Sequence, residues 1–142
     1  MKAMPVIKRS DCKFYINEDK RTIVCVIPDT KYLLDEFIKA NNEFMYDNYI
    51  AWETLEMPHS FSGKAVCSDE DEWDEELGKT IAYARARRKM YNSFFRRANT
   101  YVNMFDKQIN DMISNLNALG EKVTEWQDNL QKEVEKKISG EA

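Results

Sequence analysis

Residues 77–130, LGKTIAYARARRKMYNSFFRRANTYVNMFDKQINDMISNLNALGEKVTEWQDNL, decide the fold. With heptad letters counted back from Leu130, the a and d positions fall on Leu77, Ile81, Ala84, Arg88, Tyr91, Phe95, Ala98, Val102, Phe105, Ile109, Met112, Leu116, Leu119, Val123, Trp126 and Leu130, and only Arg88 is not apolar. That period predicts a helix with one continuous apolar seam. No proline or turn cluster interrupts residues 74 to 118. At 1.5 Å per residue the stretch would reach roughly 80 Å, more than the residues before it can cover. The seam must therefore meet a second chain, or fold back at the one weak point, Asn117-Ala118-Leu119-Gly120. The heptad crosses Gly120 without a phase change, which favours an unbroken helix. Either arrangement predicts a homo-oligomer, a dimer or a multiple of dimers. Aromatic Tyr91, Phe95, Phe105 and Trp126 alternate with small Ala84 and Ala98 where a plain two-stranded zipper prefers branched aliphatics. Helices from two subunits are thus expected to pack on the head as well as on each other.

Working back towards the N-terminus, the helix is preceded by Ser68 to Glu76, which holds seven carboxylates with Trp73 alone among them. Acidic groups here favour the positive end of a helix, and Ser68, Asp71 or Asp74 can each cap it. Before that, Phe61-Ser62-Gly63-Lys64-Ala65-Val66-Cys67 reads as a strand with a glycine bulge or bend. Cys12 to Ile16 and β-branched Arg21 to Ile27, joined by the turn residues Asn17 to Lys20, read as a β-hairpin. The second strand is apolar on both faces, so cover is expected on each side. Asp29 or Thr30 offers an N-cap for a helix from about Lys31 to Leu55, whose Leu34, Phe37, Ile38 and Met45 would cover one hairpin face. The expected architecture is α+β: a small antiparallel sheet with one covering helix, then a long C-terminal helix that oligomerises as a coiled coil. Residues 1–68 form the β-rich head with an inserted helix at about 31–55, and residues 69–142 the acidic cap and the coiled-coil-like helix.

Composition agrees with a folded chain. The 142 residues are 43% hydrophobic and 32% charged with four glycines and three prolines, which disfavours disorder. No run of about 18 apolar residues occurs and the first eleven residues carry no signal-peptide pattern, so a cytoplasmic protein without a membrane span is expected. Cys12, Cys25 and Cys67 have spacings unlike zinc ligands and are expected as buried reduced thiols in strand-like runs. His59 is the only histidine, so no histidine pair is present to anchor a transition metal, and no triad is spelled out around it. Asp69 to Glu76 lacks the alternating ligands and central glycine of a calcium loop. Gly63-Lys64 and Gly78-Lys79 fall short of a phosphate-binding loop. No metal, no cofactor and no enzymatic activity are expected.

The formal net charge of −4 argues against bulk nucleic-acid binding, but the charges are segregated. Residues 79 to 97 hold seven cations and four aromatics. Guanidinium groups match phosphate bidentately and aromatic faces stack on bases, so the segment is a candidate site for a phosphate-bearing small nucleotide. The bland alternative is a solvated basic face paired with the acidic run of a neighbouring chain. Arg88 is the most informative residue, because a cation on the seam demands a carboxylate, an exit to solvent or a bound anion. By chemistry the candidate ligand-binding residues are Lys64, Lys79, Arg85, Arg88, Tyr91, Phe95 and Arg96.

Phe61 to Cys67, Asp69 to Asp71, Trp73-Asp74, Gly78-Lys79, Ala82, Arg85 and Arg96-Arg97-Ala98 together resemble a pattern of small phage proteins, over roughly Arg21 to Ala98. The expected architecture is similar to that of the Thoeris anti-defence sponges. The resemblance implies a protein of the host bacterial cytoplasm that sequesters a cyclic ADP-ribose-type or cyclic oligonucleotide immune signal at a subunit interface without cleaving it. Residues 28 to 58 look like an insertion relative to shorter members. The resemblance assigns no binding residues. Two alternatives stay open: an inhibitor that binds a host defence nuclease through its acidic run, and a purely structural coiled-coil phage component.

Overall fold

A computed structural model describes residues 4–49 and 56–140. Its order is a 3₁₀ turn at Arg9–Asp11, strand β1 (Lys13–Asn17), β2 (Thr22–Ile27), helix α1 (Leu33–Asn41), α2 (Glu43–Tyr49), β3 (Phe61–Val66) and α3 (Glu75–Ile138). The fold is α+β, with a three-stranded antiparallel sheet in the order β1-β2-β3 and a long C-terminal helix. Two compact units are present, Met1–Thr100 and Tyr101–Ala142. The boundary between them falls inside α3, whose first residues pack with the sheet.

The sheet follows the expected hairpin. Lys13 pairs with Val26 through to Asn17 with Thr22, and Thr22 pairs with Val66 through to Ile27 with Phe61. Strand alternation puts Ile23, Cys25, Ile27, Gly63 and Ala65 on one face, and all five are buried. Ala82, Ala86 and Met90 of α3 are fully buried too. A Cβ added to Gly63 would lie 2.4 Å from the Ala82 carbonyl oxygen and 2.4 Å from the Ala86 nitrogen, so the helix backbone rests on the strand at this point.

That contact corrects the sequence reading twice. The β2–β3 register runs without an extra residue, so Gly63 marks no bulge; it is where helix and strand approach too closely for a side chain. The helix that covers the sheet is α3, where the segment following β2 was expected. The other sheet face is open: Tyr15 and Val66 are 59% and 64% exposed, and Thr22, Val24 and Val26 are half-buried. Cover on both sides of β2 is therefore absent among the described residues.

The helix expected from about Lys31 to Leu55 is divided at Asn42 into α1 and α2. Residues 50–55 and the side chains of Met45 and Tyr49 lie outside the described residues. Leu34 and Ile38 are buried, and the Phe37 ring meets Phe94 of α3 edge to face at 5.4 Å. Neither Asp29 nor Thr30 caps α1. Asp29 takes φ +57°, and the buried Thr30 donates its hydroxyl to the Pro58 carbonyl at 2.5 Å and its N–H to the His59 carbonyl at 3.1 Å. Lys31 in turn accepts the Met57 N–H at 3.0 Å through its carbonyl, so residues 30–31 and 57–59 clasp each other between β2 and β3.

At the start of α3, Asp74 is the N-cap: its Oδ1 accepts the Leu77 N–H at 3.0 Å. Glu75 and Glu76 occupy the first turn and Lys136 and Lys137 the last, each complementing its end of the helix dipole. The approach to the cap is tied by Arg21, whose guanidinium donates to Cys67 Sγ at 3.1 Å, to the Ser68 carbonyl at 3.0 Å and to the Asp71 carbonyl. The helix runs through Gly120 without interruption. All three cysteines are free, but only Cys25 is in a strand and buried; Cys12 and Cys67 are half-buried just outside β1 and β3.

Candidate functional site

The N-terminal segment is laid along α3 by two tyrosines. Tyr83 donates its hydroxyl to the Ile7 carbonyl at 2.7 Å, and Tyr91 donates to the Pro5 carbonyl at 2.8 Å. Both phenols thereby satisfy their polar ends within the chain.

The seven candidate residues do not form one cluster. Lys79 belongs to a separate site at the start of α3, with its ammonium 3.6 Å from Glu75 and 3.8 Å from Glu76 and above the Phe14 ring. Arg9 joins it, 2.9 Å from Glu76 Oε2 and over the same ring. The Arg9 guanidinium donates to Glu76 and holds its carboxyl below the usual glutamate range. Lys64 is exposed on the open sheet face, one residue from the Gly63 contact. Its carbonyl accepts from Arg85 at 2.6 Å, which fastens α3 to the outer edge of β3.

The remaining residues stay on α3. Arg88, Tyr91 and Phe95 follow one another at a, d and a positions, with Arg96 beside them. The Tyr91 and Phe95 rings are 6.3 Å apart and tilted by 30°. Phe95 is 58% exposed, and among the described residues Arg88 and Arg96 have no ion pair or side-chain hydrogen bond. Arg87 by contrast lies over the Tyr83 ring, and Arg97 donates to Ser93 Oγ at 3.2 Å and to the Glu56 carbonyl at 3.0 Å. One chain thus groups two guanidiniums, Arg88 and Arg96, with the Tyr91 and Phe95 rings on one stretch of α3.

The second unit has an exposed apolar row of its own on α3. Ile109, Met112, Leu116, Leu119, Trp126 and Leu130 are each more than half exposed. Tyr101 and Phe105 are buried and meet edge to face at 4.6 Å, so Phe105, a d position of the expected seam, is not part of the bare row.

Sequence reasoning did not foresee a groove of about 830 Å³ between the end of β3 and the start of α3. Ile23, Ala65, Leu77 and Ile81 line it together with Trp73, and Asp71, Glu72, Asp74, Glu75 and Glu76 border it. Its one cation, Arg21, is already committed to backbone carbonyls. The available signal was Trp73 inside the acidic run. This groove is therefore bordered by acidic side chains, and the candidate cations lie elsewhere.

The chain matches no protein-family model, no curated protein and no solved structure. Fold and site define its class: an α+β protein with a three-stranded antiparallel sheet, carried on a long helix with a bare apolar row. Among the described residues no helix is long and apolar enough to cross a membrane, and no group of three or more metal-ligating side chains occurs.

Proposed function

We propose that this protein is a homo-oligomeric binding protein, assembled along α3, that holds a phosphate-bearing nucleotide at the subunit seam in the manner expected of an anti-defence sponge. The observation that carries the reading is the row of apolar side chains from Ile109 to Leu130, more than half exposed at six positions of α3. An exposed apolar row of this length marks an interaction surface, and its heptad period matches a second copy of itself. Arg88, with no ion pair among the described residues, and the exposed Phe95 fall on the same heptad positions, so a ligand phosphate bound there would be enclosed only by assembly. The role is binding rather than catalysis, in the cytoplasm of the host.

A second reading, a protein inhibitor that docks a basic segment, is supported by the acid-bordered groove beside Trp73. A native mass spectrum of the full chain taken directly from cells tests both. The first reading expects an even-numbered assembly with a small phosphate-bearing passenger. A monomer at micromolar concentration overturns it. A macromolecular passenger lost when Asp69, Glu70 and Asp71 are replaced by Ser supports the second reading instead.

A further inference from the structure

We infer that the second copy runs antiparallel along α3, bringing the partner subunit's Trp126 against Arg88. This rests on the assembly reading above and adds the direction of the partner helix and the residue it contributes.

Charge decides the direction. Residues 79–97 carry seven cations and no carboxylate, whereas residues 117–135 carry five carboxylates and two lysines. A parallel pair sets each residue beside its own copy, so the cationic stretch faces itself and Arg88 faces Arg88 in a core layer. Arg88 has no carboxylate partner among the described residues, so in a pair that has not yet bound an anion two facing guanidiniums in a desolvated layer are strongly unfavourable. Reversing one helix lays the cationic stretch on the acidic one. The reversal also brings Glu75 and Glu76 in the first turn near Lys136 and Lys137 in the partner's last turn, and opposes the two helix dipoles.

Side-chain size then decides the register. In an antiparallel pair a positions face d positions, and registers differ by steps of seven. The register that overlaps Glu75–Ile138 almost completely sets Arg88 opposite Trp126, Ala84 opposite Leu130 and Ala98 opposite Leu116. Both seam alanines thus meet a leucine, which accounts for the uneven seam. An indole face is the best aromatic partner for a guanidinium, and both Arg88 and Trp126 are exposed in the single chain. Residues at g face g, so Arg87 meets Asn129; the next register would set Arg87 against Lys122.

Cysteine cross-linking of the full chain tests this, in a background where Cys12 and Cys67 are serine and buried Cys25 is kept. Arg87 and Asn129 are both exposed g positions that face each other in this antiparallel register and are far apart in a parallel pair. Arg87→Cys with Asn129→Cys is expected to give a covalent dimer on mild oxidation, while Arg87→Cys with Asn92→Cys, which are apposed in a parallel pair, gives none. Sedimentation of the same samples separates the two ways of failing. A monomer overturns the assembly reading together with this one. An assembly that cross-links through positions 87 and 92 overturns the direction alone, and an assembly in which neither pair closes overturns the register and with it the inference.

Discussion

Gly63 shows how one missing methyl group positions an element. The Cβ it lacks would strike main-chain atoms of Ala82 and Ala86, and a helix backbone cannot rotate out of the way as a side chain can. Gly63→Ala is expected to lower stability by about 1–3 kcal/mol through overpacking, seen as a lower urea midpoint at unchanged slope; an unchanged midpoint would contradict the close helix–strand contact. At Gly78 the added carbon would meet only the end of the Ile23 side chain, at 2.5 Å from Cδ1, so Gly78→Ala should cost less. The Arg9–Glu76 pair makes a pH-dependent contribution. Because hydrogen bonding from Arg9 lowers the Glu76 pKa in the fold, the stabilisation is complete above the ordinary value of 4.5 and is lost as pH falls through the lower folded value. The stability gap between the native chain and Arg9→Ala should therefore narrow in urea melts below pH 4.5, without closing, since Arg9 also covers the Phe14 ring. A gap that stays constant with pH would place the contribution of Arg9 in that ring contact alone.

Among the elements, α3 was the most legible and α1 the least. The heptad period, the acidic first turn and the undisturbed phase at Gly120 all concern residues a few positions apart, so local sequence suffices to predict them. Nothing lies within 4 Å of the position where a Gly120 Cβ would be, and the helix continues past it on both sides. Gly120→Ala should thus raise the thermal stability of the helix by about 1 kcal/mol, measured by circular dichroism; destabilisation would mean that the glycine serves a contact beyond the single chain. The start of α1 was misread because Thr30 has a competing partner. Its hydroxyl is taken by Pro58, which is distant in sequence, so the local capping pattern around Thr30 could not show it.

For the whole molecule, the first part of α3 carries two apolar faces with different roles. Ala82, Ala86 and Met90 recur every four residues and cover the sheet, while Leu77 and Phe95 lie outside that face and remain exposed. The heptad lettering found the second face and missed the first, because small residues meeting a strand leave little hydrophobic signal. The candidate ligand residues divide along the same lines. Those on the outer row, Arg88, Tyr91 and Phe95, lie near one another, whereas Lys79 and Arg85 turn to partners within their own chain. Charge segregation along the helix was fully visible in the sequence, and on it rests the expected antiparallel direction of assembly.

By itself the sequence determined the elements and their local chemistry: the hairpin, the third strand, the single long helix and its acidic start. These depend on periodicity and short-range electrostatics, which act between neighbours along the chain. Only the tertiary structure decided which helix covers the sheet, which face of it stays bare and which cations remain unpaired. Those outcomes depend on how closely two backbones approach and on which distant carbonyl or carboxylate reaches a side chain first.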